Sequence, residues 1–358
     1  MNSTPRVLLL ALLATILLLT GCAEVKYTMR VDPEPSAGRA DRVWPEPPHK
    51  PRYRYVGQLI GEDNFVAQEV DTRNNGLKLL YWLVGFVGMA QEKIQLIRPQ
   101  SGMVDEQGRV YVTDINRHAV FVFDQAAGKL SVWDRAHEAR DFISPIGIVQ
   151  GPRGEILVAD ADLGAVIRLD REGKPLGYIG ADALKRPTGL ARDAVRGRLY
   201  VSDTHAHDVK VFDDDGILLE VIGRRGDSDA ELNFPTHLWF AADKLYVSDS
   251  MNARILVLDT QGQQIMNLGR RGHYVGDFTR PKGVTVDPSG NIYVVESFYD
   301  NLLVFDSEGN FLMPIGGTGK EIGQFYLPSG VWSDQRGRIY VADMFNGRVM
   351  IFQFLGGD

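Results

Sequence analysis

The sequence predicts an all-β fold, a six-bladed β-propeller that forms a single domain behind an N-terminal tether. Three observations predict it. One motif recurs six times, each recurrence contains four short strand patterns, and a segment near the N terminus supplies the strand that the sixth copy lacks. The chain has 358 residues, of which 44% are hydrophobic, so it can fill the core of such a ring.

The recurring motif is an aliphatic residue or tyrosine, then an aliphatic residue, any residue, and an acid. Its acids are separated by 46, 43, 46, 47 and 47 residues and are Asp114, Asp160, Asp203, Asp249, Glu296 and Asp343. In each copy one strand pattern follows a Pro-x-Gly-like start, the next carries the motif, and two more follow, which is typical of a propeller blade. Because the acid recurs once per copy, we interpret it as a structural cap and not as half of a catalytic pair.

The ring is expected to close through residues near the N terminus. The last strand pattern of copies two to five ends in an aliphatic residue and glycine, whereas the sixth copy stops soon after its third strand. Residues 53–60 end in Ile60, and Gly61 follows, so this segment carries the same Ile-Gly ending. We therefore expect this segment to complete the last blade and to remove an exposed sheet edge, so that the propeller occupies residues 52–358.

These motifs resemble the NHL-repeat family of six-bladed β-propellers, over about five-sixths of the chain. The resemblance rests on the Pro-x-Gly start, the Tyr-Val-x-Asp motif and a following Asn-x-Arg. The best copies are Asp249 with Asn252 and Arg254, and Asp343 with Asn346 and Arg348. The family includes binding modules and a few enzymes, so the resemblance implies the architecture and no single activity.

The N terminus predicts an exported lipoprotein. Residues 1–21 have the basic start and short apolar run of a signal peptide, a run too short to span a bilayer. Leu19-Thr20-Gly21-Cys22 resembles the bacterial lipobox, which implies acylation of Cys22; an ordinary cleaved signal is the alternative. Since Ala23 and not Asp follows, we expect the outer membrane. Residues 22–51 are rich in proline and are expected to form an extended tether.

Composition excludes several functions. A single cysteine excludes an intrachain disulfide, a zinc site built on several cysteines and an iron-sulfur cluster. A formal net charge of −7 lacks the basic excess of a nucleic-acid-binding protein. We expect no nucleic-acid partner, and we predict no cofactor.

Candidate binding residues fall on one face. In a propeller, the loops between the second and third strands and the connections between blades surround one mouth of the central channel. The residues expected there are Arg224, Arg225, Arg270 and Arg271, in two Gly-Arg-Arg-Gly turns, with His205, His207 and His237. The arginines can bind an acidic group or can form ordinary turns. The histidines, of which His237 replaces a glycine of the Pro-x-Gly motif, can hold a metal or can be ordinary loop residues.

One connection is much longer than the others. Gly61 and Pro99 are 38 positions apart, against 12 in three other connections and 7 in a fourth. The insertion, at about 62–95, contains the apolar run 76–90 with Trp82. It is expected on the same face, either packed on the propeller or docking a partner.

Together these features predict a membrane-anchored lipoprotein whose propeller binds a protein or another ligand in the cell envelope, with no catalytic residue assigned. The first alternative is a metal-dependent enzyme, similar to the lyases or lactonases of propeller families, with its site at His237 and the channel mouth. A third hypothesis is a sensor of small anions that uses the arginine pairs.

Overall fold

The computed structural model describes residues 26–33, 42–67 and 93–356. The predicted signal peptide, the predicted lipidation site at Cys22 and the apolar run with Trp82 lie outside these residues. Within them the chain forms 29 β-strands and four 3-10 turns, Glu62–Asn64, Pro152–Gly154, Ser250–Asn252 and Met344–Asn346, with no α-helix. In the same residues no helix is long and apolar enough to cross a membrane.

Five blades are four-stranded antiparallel sheets, each formed by consecutive strands. Blade 1 consists of Pro99–Val104, Val110–Asp114, Ala119–Asp124 and Lys129–Trp133. Blade 2 consists of Pro145–Gln150, Ile156–Asp160, Ala165–Leu169 and Pro175–Ile179, and a hairpin, Arg135–His137 with Arg140–Asp141, precedes it. Blade 3 consists of Pro187–Asp193, Arg198–Asp203, Asp208–Asp213 and Leu218–Ile222. Blade 4 consists of Pro235–Ala241, Lys244–Asp249, Arg254–Leu258 and Gln264–Leu268. Blade 5 consists of Pro281–Val286, Ile292–Glu296, Asn301–Phe305 and Phe311–Gly316.

The sixth blade joins the two ends of the chain. Its first three strands are Val331–Ser333, Arg338–Asp343 and Arg348–Phe354, and its fourth is Tyr53–Leu59. Tyr53 pairs with Phe354 and Leu59 with Val349, and both side chains of the closing strand are buried. The first strands of neighbouring blades contact each other around the whole ring, including blades 6 and 1. The predicted six-bladed propeller, closed by an N-terminal strand, is confirmed.

Part of the predicted tether lies on the propeller. Val43–Trp44 adds a fifth strand to the sixth blade, and the Trp44 ring packs against Phe352 with centroids 5.2 Å apart. Tyr27–Met29 pairs with Phe65–Ala67. These residues therefore do not extend away from the domain, because hydrogen bonding to free strand edges competes with the extended, solvated state.

The core consists of six apolar clusters, one between each pair of adjacent blades. The cluster between blades 6 and 1 contains Leu59, Phe121 and the fully buried Trp332, whose ring stacks on Tyr340 with centroids 5.6 Å apart. Every blade buries apolar side chains on both of its faces, so no blade has a complete core without its neighbours. The ring is consequently one cooperative unit that holds its loops in fixed positions.

The six motif acids are buried at the ends of the second strands. Asp343 shows their role: its carboxylate accepts a hydrogen bond from the Tyr326 backbone N–H at 2.8 Å and one from the Arg348 Nε at 2.8 Å. Each of the other acids likewise accepts backbone N–H groups from the connection that leads into its own blade. These contacts support the structural interpretation of the repeated acid.

The two described ends of the long insertion lie in different places, and only the second lies on the face where we expected the insertion. Phe65–Ala67 and its partner strand pack against the outer strands of blade 1: the rings of Phe65 and Phe123 stack with centroids 6.3 Å apart. An added Cβ on Gly128, which has a φ of +62°, would lie 1.9 Å from the Tyr27 carbonyl oxygen. The chain thus enters the insertion on the outer side of blade 1, where Phe65–Ala67 pairs with Tyr27–Met29. It leaves the insertion beside the loop between the second and third strands of blade 1, where the Gln95 carbonyl accepts a hydrogen bond from Arg117 Nε at 2.8 Å.

Candidate functional site

The site is built on the mouth face, which we define by the loops between second and third strands and the connections between blades. In each loop the residue two positions after the motif acid is exposed. In blade order these residues are Asn116, Asp162, His205, Met251, Phe298 and Phe345. The first three are polar and the last three apolar. We call Met251, Phe298 and Phe345 the apolar arc; they are 52%, 56% and 44% exposed.

The apolar arc has aromatic and cationic neighbours that orient it. The ring of Phe345 lies 5.5 Å from that of Tyr326, and the guanidinium of Arg98 lies 5.1 Å from its centroid. Phe298 contacts Tyr299 edge to face at 5.0 Å. Such contacts hold a ring in position while leaving its outer face in water. Our sequence analysis missed this surface, although aligning the six copies on the motif acid would have revealed it.

The arginine pairs form turns that repeat around the ring. Arg224 binds Glu231 at 2.9 Å and Arg270 binds Asp277 at 2.8 Å, each within its own connection. Arg271 donates to the Met251 carbonyl at 2.6 Å. These partners support the interpretation of the Gly-Arg-Arg-Gly segments as turns over that of a shared anion site. The two arginine side chains are about 80% exposed, so water screens both ion pairs and the pairs stabilise the fold little.

The glycine that opens each turn is required by packing. Gly269 has a φ of +80°, and an added Cβ would lie 2.1 Å from the buried ring of Phe278. Phe278 anchors the connection from blade 4 to blade 5, as Leu232 and Phe325 do in the connections on either side.

Two predicted histidines lie beside Phe234. His207 is buried, its Nδ1 accepts the backbone N–H of Phe234 at 3.2 Å, and its ring contacts the Phe234 ring at 4.5 Å. Burial, and then the charge of Arg225, lower the pKa of His207 below its usual range. His205 is exposed and lies edge to face with the same phenylalanine at 6.2 Å. The loop of blade 3 therefore uses one histidine for packing and exposes the other.

His237 lies apart from them, in the channel. It directly precedes Leu238, which pairs with Val247, and this is the position that glycine occupies in blades 2, 3, 5 and 6. In blade 1 the equivalent residue is Ser101, because Ser101 pairs with Thr113 after a bulge. Burial lowers the pKa of His237 to about 4, and a hydrogen bond with the backbone of Val331, in blade 6, acts in the opposite direction.

Glycine at this position allows neighbouring blades to approach. A Cβ on Gly189 would lie 2.8 Å from the Thr236 carbonyl oxygen of the next blade, and one on Gly330 would lie 2.2 Å from that of Gln100. In blade 4, His237 places an imidazole at this position, where four other blades have no side chain and blade 1 has only a serine.

The channel holds two cavities that share His237. The one at the mouth, about 150 Å³, is lined by His237 and by the residue that follows the first-strand proline of each blade, namely Gln100, Ile146, Thr188, Thr236, Lys282 and Ser329. The deeper one, about 210 Å³, is lined by residues that include Trp239 and Arg192. The imidazole of His237 therefore lies between an outer and an inner chamber.

The predicted histidines do not form a metal site. In the part of the chain that the structure describes, no group of three or more His, Cys, Asp or Glu residues could hold a metal ion. His237 is separated from His205 and His207, which pack around Phe234.

Two family models match the chain: one described as a 6-bladed beta-propeller, over residues 227–300, and the NHL repeat, over residues 184–212. The chain is a six-bladed β-propeller, and its third blade matches the NHL repeat. No curated protein matches its sequence. The NHL match spans blade 3 up to its third strand, and the longer match includes blade 4 and the first two strands of blade 5.

Solved structures similar to this propeller have diverse functions. An auxiliary nutrient binding protein from Bacteroides thetaiotaomicron VPI-5482 has a TM-score of 0.57 at 13% identity, covering 73% of this chain and 70% of its own. A protein of unknown function from the same organism has a TM-score of 0.56 at 15% identity, covering 72% and 70%. A catalytically inactive virginiamycin B lyase from Staphylococcus aureus, with quinupristin, has a TM-score of 0.52 at 13% identity, covering 72% and 95%. At these identities the likeness establishes the fold alone.

Proposed function

We propose that this propeller is a lipoprotein of the bacterial outer membrane, anchored through Cys22, and that it binds a protein partner in the cell envelope through the apolar arc. The lipobox-like sequence before Cys22 supports the anchor. The observation that carries the binding function is the exposure of Met251, Phe298 and Phe345 at one equivalent position in three consecutive blades.

Physical chemistry favours a protein partner for this surface. Leaving large apolar side chains in water costs about 25 cal/mol per Å² of apolar surface, which a complementary partner recovers on binding. Aromatic residues and arginine are the side chains most enriched at the centres of protein interfaces. Phe345 under the guanidinium of Arg98, and Phe298 beside Tyr299, have this composition.

The experiment is photo-crosslinking in living cells, which uses the equivalent positions as matched controls. A photo-reactive phenylalanine analogue replaces Phe298 or Phe345 in one set of cells and Asn116 or Asp162 in the other. We expect one adduct of defined mass from the first set only. The adduct should disappear when Phe298→Ser and Met251→Ser are combined with the probe at position 345. Equal adducts from both sets, or none from the arc in correctly exported protein, would overturn the binding surface.

The anchor is tested separately. Mass spectrometry of the mature protein should find the acyl modification on Cys22. Cys22→Ser should lose it and leave the outer-membrane fraction. A Cys22→Ser protein that still fractionates with the outer membrane would contradict the anchor without affecting the apolar arc.

A further inference from the structure

We infer that the mouth of the channel binds a small anion, of the size of a simple carboxylate or inorganic phosphate, and that Lys282 is its charged contact. This site is distinct from the apolar arc and does not rest on the proposed partner binding.

Lys282 is the one charged residue among the six channel-mouth residues that follow the first-strand prolines. It is half-buried, and its Nζ has neither a hydrogen bond nor an ion pair within residues 26–33, 42–67 and 93–356. None of the residues that line the cavity is acidic. Burial lowers the pKa of Lys282, and the nearby charge of Arg280 lowers it further. A cation in this environment is stabilised when an anion replaces the water it has lost.

Lys210, which is buried, shows what a structural cation looks like in this propeller. Lys210 binds Asp203 at 2.9 Å and Asp208 at 2.7 Å, so its charge is compensated inside blade 3. The acid of blade 5, Glu296, is buried and accepts the backbone N–H groups of Thr279 and Arg280. Glu296 therefore binds the backbone of the connection between blades 4 and 5 and does not pair with the ammonium of Lys282. The uncompensated charge of Lys282 is therefore a property of the cavity and not of buried lysines in general.

The rest of the cavity is preformed and neutral. The Thr188 hydroxyl donates to the Thr236 carbonyl oxygen at 2.9 Å, and the Ser329 hydroxyl donates to the Pro99 carbonyl oxygen at 2.9 Å, so both side chains are held by the neighbouring blade. His237, with its lowered pKa, is uncharged at neutral pH and adds no competing charge. A volume of about 150 Å³ admits an anion of a few non-hydrogen atoms and excludes a folded domain.

The test measures acylation of individual lysines in the full-length protein. The protein is treated with an amine-reactive acetyl ester, and each lysine is quantified by mass spectrometry in sodium acetate, sodium phosphate or sodium chloride of equal ionic strength. We expect acetate or phosphate to slow acylation of Lys282 several-fold relative to chloride. The rate at Lys320, which is exposed on the mouth face, should be the same in all three salts. Comparison of acetate with phosphate identifies the preferred anion.

Variants complete the test through thermal unfolding. The same anion should raise the Tm of the wild-type protein. The rise should persist in Lys282→Arg and Lys320→Gln and disappear in Lys282→Gln. Equal acylation of Lys282 in all three salts, or an anion-dependent Tm rise that survives Lys282→Gln, would overturn the inference. Crosslinking from the apolar arc should be unchanged in Lys282→Gln, so the two proposals fail independently.

Discussion

Replacing His237 by the glycine found at the equivalent position of four other blades should remove a pH-dependent loss of stability. Burial holds the pKa of His237 at about 4 in the folded protein, whereas an unfolded histidine titrates near 6.5. Below that pH the unfolded chain binds a proton that the folded ring does not. Stability is therefore complete above about pH 6.5 and falls as the pH approaches 4.

The magnitude follows from the difference between the two pKa values. One unit of difference between the pKa values corresponds to about 1.4 kcal/mol, so the full loss of stability at low pH is about 3 kcal/mol. At about pH 5 the loss is about 2 kcal/mol.

The assay is urea unfolding of the full-length protein at about pH 7.5 and about pH 5. His237→Gly should lose about 2 kcal/mol less than the wild type between the two conditions. His207, Glu296 and Asp343 also have shifted pKa values, but they titrate in both proteins and cancel in the comparison. The intrinsic cost of glycine, up to about 1 kcal/mol, applies at both pH values. An identical pH dependence of the two proteins would refute the reasoning.

Three further variants test the ring. Trp332→Ala, which empties the cluster between blades 6 and 1, should destabilise the fold by about 3–5 kcal/mol in urea unfolding. Asp343→Ala should cost about 3–5 kcal/mol by leaving the buried Arg348 without its carboxylate, and a loss below about 1 kcal/mol would contradict the structural role of the acid. Leu59→Ala, in the closing strand, should cost about 2–5 kcal/mol; an unchanged Tm would show that ring closure contributes little.

Much of the architecture could be predicted because it is encoded locally and repeated. A Tyr-Val-x-Asp strand end, such as that at Asp249, can be recognised from four consecutive residues, and its six copies together indicate six blades. Even the closing strand was recognisable, since residues 53–60 carry the ending that the sixth copy lacks. The parts of the candidate site were less accessible. The arginine pairs that include Arg224 and Arg270 suggested an anion site, yet each of these two arginines forms an ion pair with a carboxylate of its own connection.

The order of the amino acids alone was sufficient for the number of blades, the closing strand, the structural role of the repeated acids and the membership of the loops in one face. These features depend on contacts within a blade or on a pattern that recurs with it. The folded ring was needed to show that Lys282 lacks a counter-ion among the described residues, that His237 divides the channel, and that Tyr27–Met29 pairs with residues 65–67 on the outer side of blade 1. Charge compensation, cavity shape and edge pairing depend on residues that different blades bring together, and no local sequence pattern records them.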